Sequence, residues 1–433
     1  MNISRRHMLS VSGLGLSAAL LSACAGTGTS TSSSDGQEAS GPLQFWSNHP
    51  GSSRDVEQKL IDQWNADNPD NQVQLIDAGA NYEELAQKFN AALSGGQLPD
   101  VVVASDVTWF NFAFTEATTP LDDIWESEGI DTSTYVDTLL GDYVYDGKHY
   151  GVPYSRSTCL MYLNTDLLAK AGLPTDRGPE TWQEFAEWAP KLLEANGGKA
   201  ALSIPDGSNY LDWYFQGMMW TFGGHYSKEW DPTFTDEKTV EAAKFLQDQV
   251  KAGHIVISKD AENEFGMGNT AATLASTGSL GGMTESASVP FITAFMPGPA
   301  PGCPTGGAGL SIPAGISDER KAKAAKFIDW LTSTESTIEF TQATGYMPVR
   351  KDAAEHPDEA AFLDENPNAR TAIEQLSENT ASQDYARVFV NGGGKRIGGA
   401  LDRIVAGQDV TEVLSSLQEE TQKVIDRDIK PHL

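Results

Sequence analysis

Apolar positions change period several times between residues 43 and 104, and each change marks an element. Leu43, Phe45 and Trp46 fall in a short run that reads as a strand, and 52–65 carries Val56, Leu60, Ile61 and Trp64 on one helical face. A second strand is predicted at 72–76 and a second helix at 82–93, through Leu85, Phe89 and Leu93. The continuous apolar run at 100–104 suits a parallel strand covered on both faces. This succession, β-α-β-α-β, opens a parallel sheet. Ligands of such sheets sit beyond the carboxyl ends of the strands. Asp106, just past the third strand, and Tyr82, at the start of the second helix, are therefore candidate site residues.

Farther along, Asp146-Gly147 marks a hairpin turn ahead of a strand at 157–163. Helices are predicted at 181–194, 239–252, 318–332 and 410–425, the last with Val410, Val413, Leu414, Leu417, Thr421, Val424 and Ile425 near helical spacing. Tyr210, Trp213, Tyr214, Trp220 and Phe222 crowd the interval between the first two of these helices. The Gly- and Pro-rich segment 296–309 reads as a crossing between lobes, and no internal repeat is present. About 390 residues follow Pro42, too many for one core and enough for two.

Ahead of this pattern, Ser4-Arg5-Arg6 precedes an apolar run from Met8 to Ala23 that ends in Leu21-Ser22-Ala23-Cys24. The run falls short of the ~20 residues a bilayer demands, so it reads as an export signal rather than a spanning helix. The paired arginines resemble a twin-arginine signal and Leu-Ser-Ala-Cys resembles a bacterial lipobox, making Cys24 the lipidated first residue of the mature chain. An ordinary signal peptide with Cys24 incidental is the plainer alternative. Residues 25–41 are small and polar and form a flexible leash spanning roughly 20 Å. The expectation is an extracytoplasmic lipoprotein, touching the cell membrane through its lipid anchor only.

Charge narrows the partners. The chain has a formal net charge of −30, and removing residues 1–23 takes away Arg5 and Arg6 but no acidic residue, leaving 28 basic against 60 acidic residues. Nucleic acid and anionic lipid surfaces are excluded as partners on that balance. Any anionic ligand must be held by short-range donors against the overall field. Cys159 and Cys303 could be bridged outside the membrane, but two buried thiols is the simpler reading, because one bridge adds little to so large a core. The seven histidines show no metal-ligand spacing, so neither metal nor cofactor is implied.

Several motifs dissolve on inspection. Gly266-Met-Gly268-Asn-Thr-Ala271 lacks the preceding buried strand and following long helix of a dinucleotide site. Asn391-Gly-Gly-Gly394-Lys395-Arg396 lacks phosphate-loop spacing; it is either a flexible loop before a helix or a place where backbone amides and Arg396 converge on an anion. No Gly-x-Ser-x-Gly elbow or cysteine–histidine pair with recognisable context occurs, so no catalysis is predicted.

Phe45-Trp46, Phe89 with Leu98-Pro99-Asp100, Val152-Pro153, Tyr162-Leu-Asn164-Thr-Asp166, Thr181-Trp182, Phe327-Ile-Asp-Trp-Leu331 and Thr344-Gly345-Tyr346-Met347-Pro348 carry a family resemblance, in order, from about residue 42 to the end. They resemble the extracellular solute-binding proteins of bacterial ABC importers, in the branch that includes maltose-binding proteins. The resemblance implies a two-lobed α/β periplasmic-binding-protein-like fold (type II), each lobe a sheet flanked by helices with the ligand cleft between. Lobe 1 would be 42–153 plus 306–348 and lobe 2 154–305 plus 349–433, after a signal peptide at 1–23 and a linker at 24–41. It further implies a monomer that closes on its solute and delivers it to membrane permease subunits.

Within that branch, Asn81-Tyr82-Glu83, Ser157-Thr158, Ala275-Ser276-Thr277-Gly278-Ser279-Leu280, Gly306-Gly307-Ala308, Thr344-Gly345-Tyr346 and a late arginine resemble the sn-glycerol-3-phosphate-binding proteins. The likeness implies that Tyr82, Ser157, Ser276, Thr277, Gly307, Tyr346 and Arg396 surround a phosphate and the adjoining glycerol, with Asp106 and Tyr210 at the other end and Trp213 able to take the place of Tyr210. Four departures stand out: Asp106 where the family usually has glutamate, Tyr210 for tryptophan, Thr277 for serine, and the pair Arg156-Ser157. The shorter Asp106 makes room, and a carboxylate beside an aromatic face suits a quaternary ammonium group. The expected ligand is glycerol-3-phosphate or a glycerophosphodiester such as glycerophosphocholine; the alternative is a mono- or oligosaccharide. Arg396 discriminates: lining the cleft it favours an anion, paired with carboxylates on the surface it favours a sugar.

Overall fold

The computed structural model describes residues 41–49 and 51–433; the export signal, Cys24 and residues 24–40 of the leash lie outside the described residues. Ten strands form the main sheet: β1 (Leu43–Ser47), β2 (Val73–Asp77), β3 (Val101–Ser105), β4 (Val152–Asn164), β5 (Leu202–Pro205), β6 (Ile255–Ser258), β7 (Ala272–Ser276), β8 (Phe291–Ala294), β9 (Cys303–Ser311) and β10 (Thr380–Ala381). Their order is β6-β5-β7-β4-β9-β3-β1-β2, with β8 added to β4 and β10 to β9.

The opening follows the predicted β-α-β-α-β succession. Strands β2 and β3 both pair parallel with β1, and the helices Gly51–Asp67 and Tyr82–Leu93 make the crossovers. β3 is buried at every position, as its continuous apolar run requires. Strands β5, β6 and β7 make a second parallel group.

The two groups are joined by β4 and β9, which run antiparallel to one another. The first half of β4 pairs with β9, and its second half pairs with β7 and β8. β9 pairs in turn with β3 through Ala308–Ser311. All thirteen residues of β4 are buried, and the strand begins five residues earlier than its apolar pattern suggests. Pro153 is admitted because the register shifts between Ala308 and Gly309, where a missing N–H is tolerated. The hairpin before it forms as predicted, with Asp146 and Gly147 both at positive φ between Val144–Tyr145 and Lys148–His149.

Two large apolar cores flank the crossing strands. One gathers Phe45, Leu60, Phe89, Val102, Leu310 and Phe327, and is joined by Ile425 and Ile429 near the end of the chain. The other gathers Trp182, Phe185, Leu202, Phe215, Leu246 and Leu417, with a smaller cluster around Leu160, Tyr162 and Phe265. Cys159 and Cys303 are buried free thiols on the crossing strands. No helix of the described residues is long and apolar enough to cross a membrane.

Candidate ligand-binding site

A cavity of about 460 Å³ opens where the crossing strands meet the two cores. Its lining comes from the ends of elements. Tyr82 heads the helix Tyr82–Leu93, whose first turn is fixed by Asn81, with the Glu84 N–H donating to Asn81 Oδ1 at 2.9 Å. Asp106 follows β3, and its N–H donates to the Gly307 carbonyl at 3.0 Å. Ser157 pairs with Gly306 across the crossing strands. Gly307 sits at φ +91°, and a Cβ there would lie 1.9 Å from the Ser155 carbonyl oxygen, so only glycine fits. Ser276 closes β7 and caps the turn that follows by accepting from the Gly278 N–H at 3.1 Å. Tyr346 comes from a different stretch, stacked on Phe340 with centroids 5.5 Å apart.

An aromatic wall faces these hydroxyls. Tyr210 holds a left-handed backbone at φ +71°, uncommon for a bulky side chain, and its hydroxyl donates to Glu83 Oε2 at 3.1 Å. Its ring lies 6.4 Å from that of Tyr82. Trp213 donates through Nε1 to the Thr305 carbonyl at 3.2 Å and packs so closely on Gly306 that a Cβ there would come within 2.5 Å of the indole. Tyr214 completes the wall.

Eight of the ten sequence-derived site residues thus line one cavity: Tyr82, Asp106, Ser157, Tyr210, Trp213, Ser276, Gly307 and Tyr346. Thr277 lies just behind it, fully buried, its Oγ1 accepting from the Thr158 N–H at 3.4 Å on a crossing strand. Arg396 does not line it. Arg396 donates from Nε to Thr421 Oγ1 at 3.3 Å and from its two terminal nitrogens to the Asn391 carbonyl at 3.3 and 3.4 Å. Burial pulls its pKa down, with Glu420 opposing.

The guanidinium in the cavity belongs to Arg387, only 2% exposed. It donates from Nε to Asp212 Oδ2 at 2.6 Å and from a terminal nitrogen to Asp106 Oδ2 at 3.1 Å and to Gln383 Oε1. Gln383 also donates to Asp106. Burial raises the Asp212 carboxyl to about 6 although Arg387 opposes the shift, and the two carboxylates outweigh burial in raising Arg387. Glu262, which accepts from Ser279 Oγ at 2.8 Å, is raised by burial. Sequence reasoning passed over Arg387, Asp212, Glu262 and Ser279. Two of them carried a readable signal: Arg387 and Asp212 are lone charges inside apolar runs, Tyr385-Ala-Arg-Val-Phe-Val390 and Leu211-Asp-Trp-Tyr-Phe215, where a charge must be paired.

Two apolar cores joined by crossing strands, with a polar and aromatic cavity at the crossing, define a two-lobed solute-binding protein. Residues 59–371 match the model of the family described as bacterial extracellular solute-binding protein, and the chain belongs to that family. The chain is 30% identical to the sn-glycerol-3-phosphate-binding periplasmic protein UgpB of Escherichia coli (strain K12) over 356 residues, covering 77% of this chain and 80% of the relative. Among solved structures it resembles UgpB from Mycobacterium tuberculosis in complex with glycerophosphocholine, with 47% identity, a TM-score of 0.87, and coverage of 90% of this chain and 100% of that one. The GacH receptor of Streptomyces glaucescens shares the fold at 21% identity and a TM-score of 0.76, over 90% of this chain and 100% of that one.

Proposed function

We propose that the protein is the solute-capturing component of an ABC importer and that its ligand is a glycerophosphodiester such as glycerophosphocholine, with glycerol-3-phosphate as the smaller alternative. The observation that carries the reading is the charge of the cavity. Its buried cation, Arg387, already faces two carboxylates, Asp106 in the lining and Asp212 outside it, so that end of the site carries one positive and two negative groups. A phosphate ester alone brings further negative charge to that end. A zwitterion brings its own cation, which suits the carboxylates and the faces of Tyr210 and Trp213, while its phosphate takes the neutral donors of Tyr82, Ser157, Ser276, Tyr346 and the Gly307 amide. The 47%-identical chain that binds glycerophosphocholine supports the same choice.

In this reading lobe 1, residues 42–153 plus 306–348 with Val349, Val390, Ile425 and Ile429 added by their packing in the first core, closes on lobe 2, residues 154–305 plus the rest of 349–433, and ligand favours the closed form. The protein acts as a monomer, anchored through a lipid on Cys24, and presents the closed form to the permease subunits; it performs no chemistry on the solute. Titration calorimetry with glycerophosphocholine, glycerol-3-phosphate and maltose tests the proposal. Glycerophosphocholine is expected to bind tightest. Heat from maltose alone would move the protein among the sugar binders and refute the reading.

A further inference from the structure

A second cavity, of about 430 Å³, lies among the helices Leu280–Ser286, Thr334–Thr344, Pro357–Glu365 and Pro367–Glu378, and shares no lining residue with the first. Its walls are apolar at Leu280, Phe362 and Ile373. Polar side chains also line it, and two of them are buried with an oxygen left over. Glu359 is 0% and Thr341 5% exposed, and each keeps an oxygen, Glu359 Oε1 and Thr341 Oγ1, with no hydrogen-bond partner among the described residues. Gln342 Nε2 donates to the other oxygen of Glu359 at 3.0 Å, which orients the carboxyl and leaves Oε1 over. A carboxylate oxygen taken out of water with no donor in return is costly, and two such orphans lining one cavity ask for a common partner.

The chemistry of that partner is constrained. Glu285 and Glu365 also line the cavity and no lysine or arginine does, so an anion is opposed. A quaternary ammonium group has no N–H to give the two oxygens. A primary ammonium group has three, and a short hydrocarbon body matches the walls and the volume. We propose that this cavity is a second ligand site, which binds a small organic primary ammonium ion through Glu359 Oε1 and Thr341 Oγ1 and packs its hydrocarbon body on Leu280, Phe362 and Ile373. The site is independent of what the first cavity holds. It lies at a seam, because Phe340 on the helix of Thr341 belongs to the first core and Leu280 to the small cluster around Tyr162.

The test is calorimetric titration of the full chain with phenethylamine hydrochloride, to about 10 mM as suits a ligand of this size, beside 2-phenylethanol and phenyltrimethylammonium. Read as the heat that Ala369→Phe removes, which excludes binding in the first cavity, phenethylamine is expected to bind with one equivalent, and the alcohol and the quaternary ion roughly tenfold or more weaker. Glu359→Gln and Thr341→Val should each weaken the amine by about the same factor. Ala369→Phe, which fills the cavity and leaves Glu359 in place, should abolish binding and covers the case in which Glu359→Gln disturbs the fold. Absence of phenethylamine binding, equal binding of the alcohol, or binding that survives all three substitutions would each overturn the proposal.

Discussion

At the scale of single residues, the decisive group is Asp212, because its ionisation sets whether the trio it forms with Arg387 and Asp106 is neutral or negative. Its folded pKa, raised to about 6 by burial, lies above the 3.8 of a solvated aspartate. A carboxyl raised in this way favours the folded state below pH 3.8, and that contribution is lost as pH rises through about 6. Asp212→Asn removes the dependence. Urea unfolding of both proteins from pH 4 to 7.5 should show the variant gaining on the parent as pH rises, by on the order of 1–3 kcal/mol; a constant difference would mean that Asp212 titrates normally. Gly307 is the second case. An alanine there meets the Ser155 carbonyl and a φ of +91°, so Gly307→Ala should cost about 2–4 kcal/mol in the same measurement, and an unchanged midpoint would refute the crowding. These two residues also show how the site was legible. Tyr82 was reached through its place at the head of a helix, and Ser157 and Gly307 through the family resemblance, whose short local motifs stay recognisable in a linear string. Arg387 was passed over because its role depends on Asp106 and Asp212, 281 and 175 positions away, while Arg396 drew attention through its glycine-rich neighbours.

At the scale of elements, legibility followed amphipathicity. The helices Tyr82–Leu93 and Val410–Val424 each have a buried stripe and a solvated face, and their apolar spacing announced them. The helix Leu211–Thr221 did not, because Leu211 through Trp220 are all buried and an element apolar on every side has no period to read. The full extent of β4 was hidden for a similar reason: its buried serines, threonines and Arg156 interrupt the apolar run, and they are tolerated inside through partners such as Asp142, 2.6 Å from Arg156. The helix Gly393–Val405 gives a direct test of how packing and propensity divide an element. Gly399 has open space around it, so Gly399→Ala should add about 0.5–1 kcal/mol through propensity alone. Gly398 touches the Gly207 backbone, where a Cβ would come within 2.8 Å of the carbonyl oxygen, so Gly398→Ala should destabilise. Thermal unfolding of the pair should move in opposite directions; shifts of the same sign would mean that the helix is not seated on the Gly207 turn.

At the scale of the whole molecule, a net charge of −30 surrounds a cavity proposed to hold a phosphate diester. Long-range and short-range electrostatics then act in opposition, and kinetics can separate them. The approach of a ligand is governed by the overall field, which salt screens over a Debye length of about 8 Å at physiological ionic strength. Retention depends on the buried donors and on the pairing of Arg387 with Asp106 and Asp212, which salt scarcely reaches. Glycerol-3-phosphate, a net anion, should therefore associate faster as salt rises from low to physiological levels, by roughly two- to tenfold. Glycerophosphocholine, neutral overall, should show little change in association rate. Dissociation should be nearly insensitive to salt for both. Stopped-flow mixing that follows tryptophan fluorescence, with Trp213 in the cavity wall as reporter, measures all four rates. An association rate for the anion that falls with added salt would mean that a local positive field at the cleft mouth, with Lys259 at its rim, overrides the global charge, and the case for a zwitterion drawn from the paired arginine would lose its long-range half.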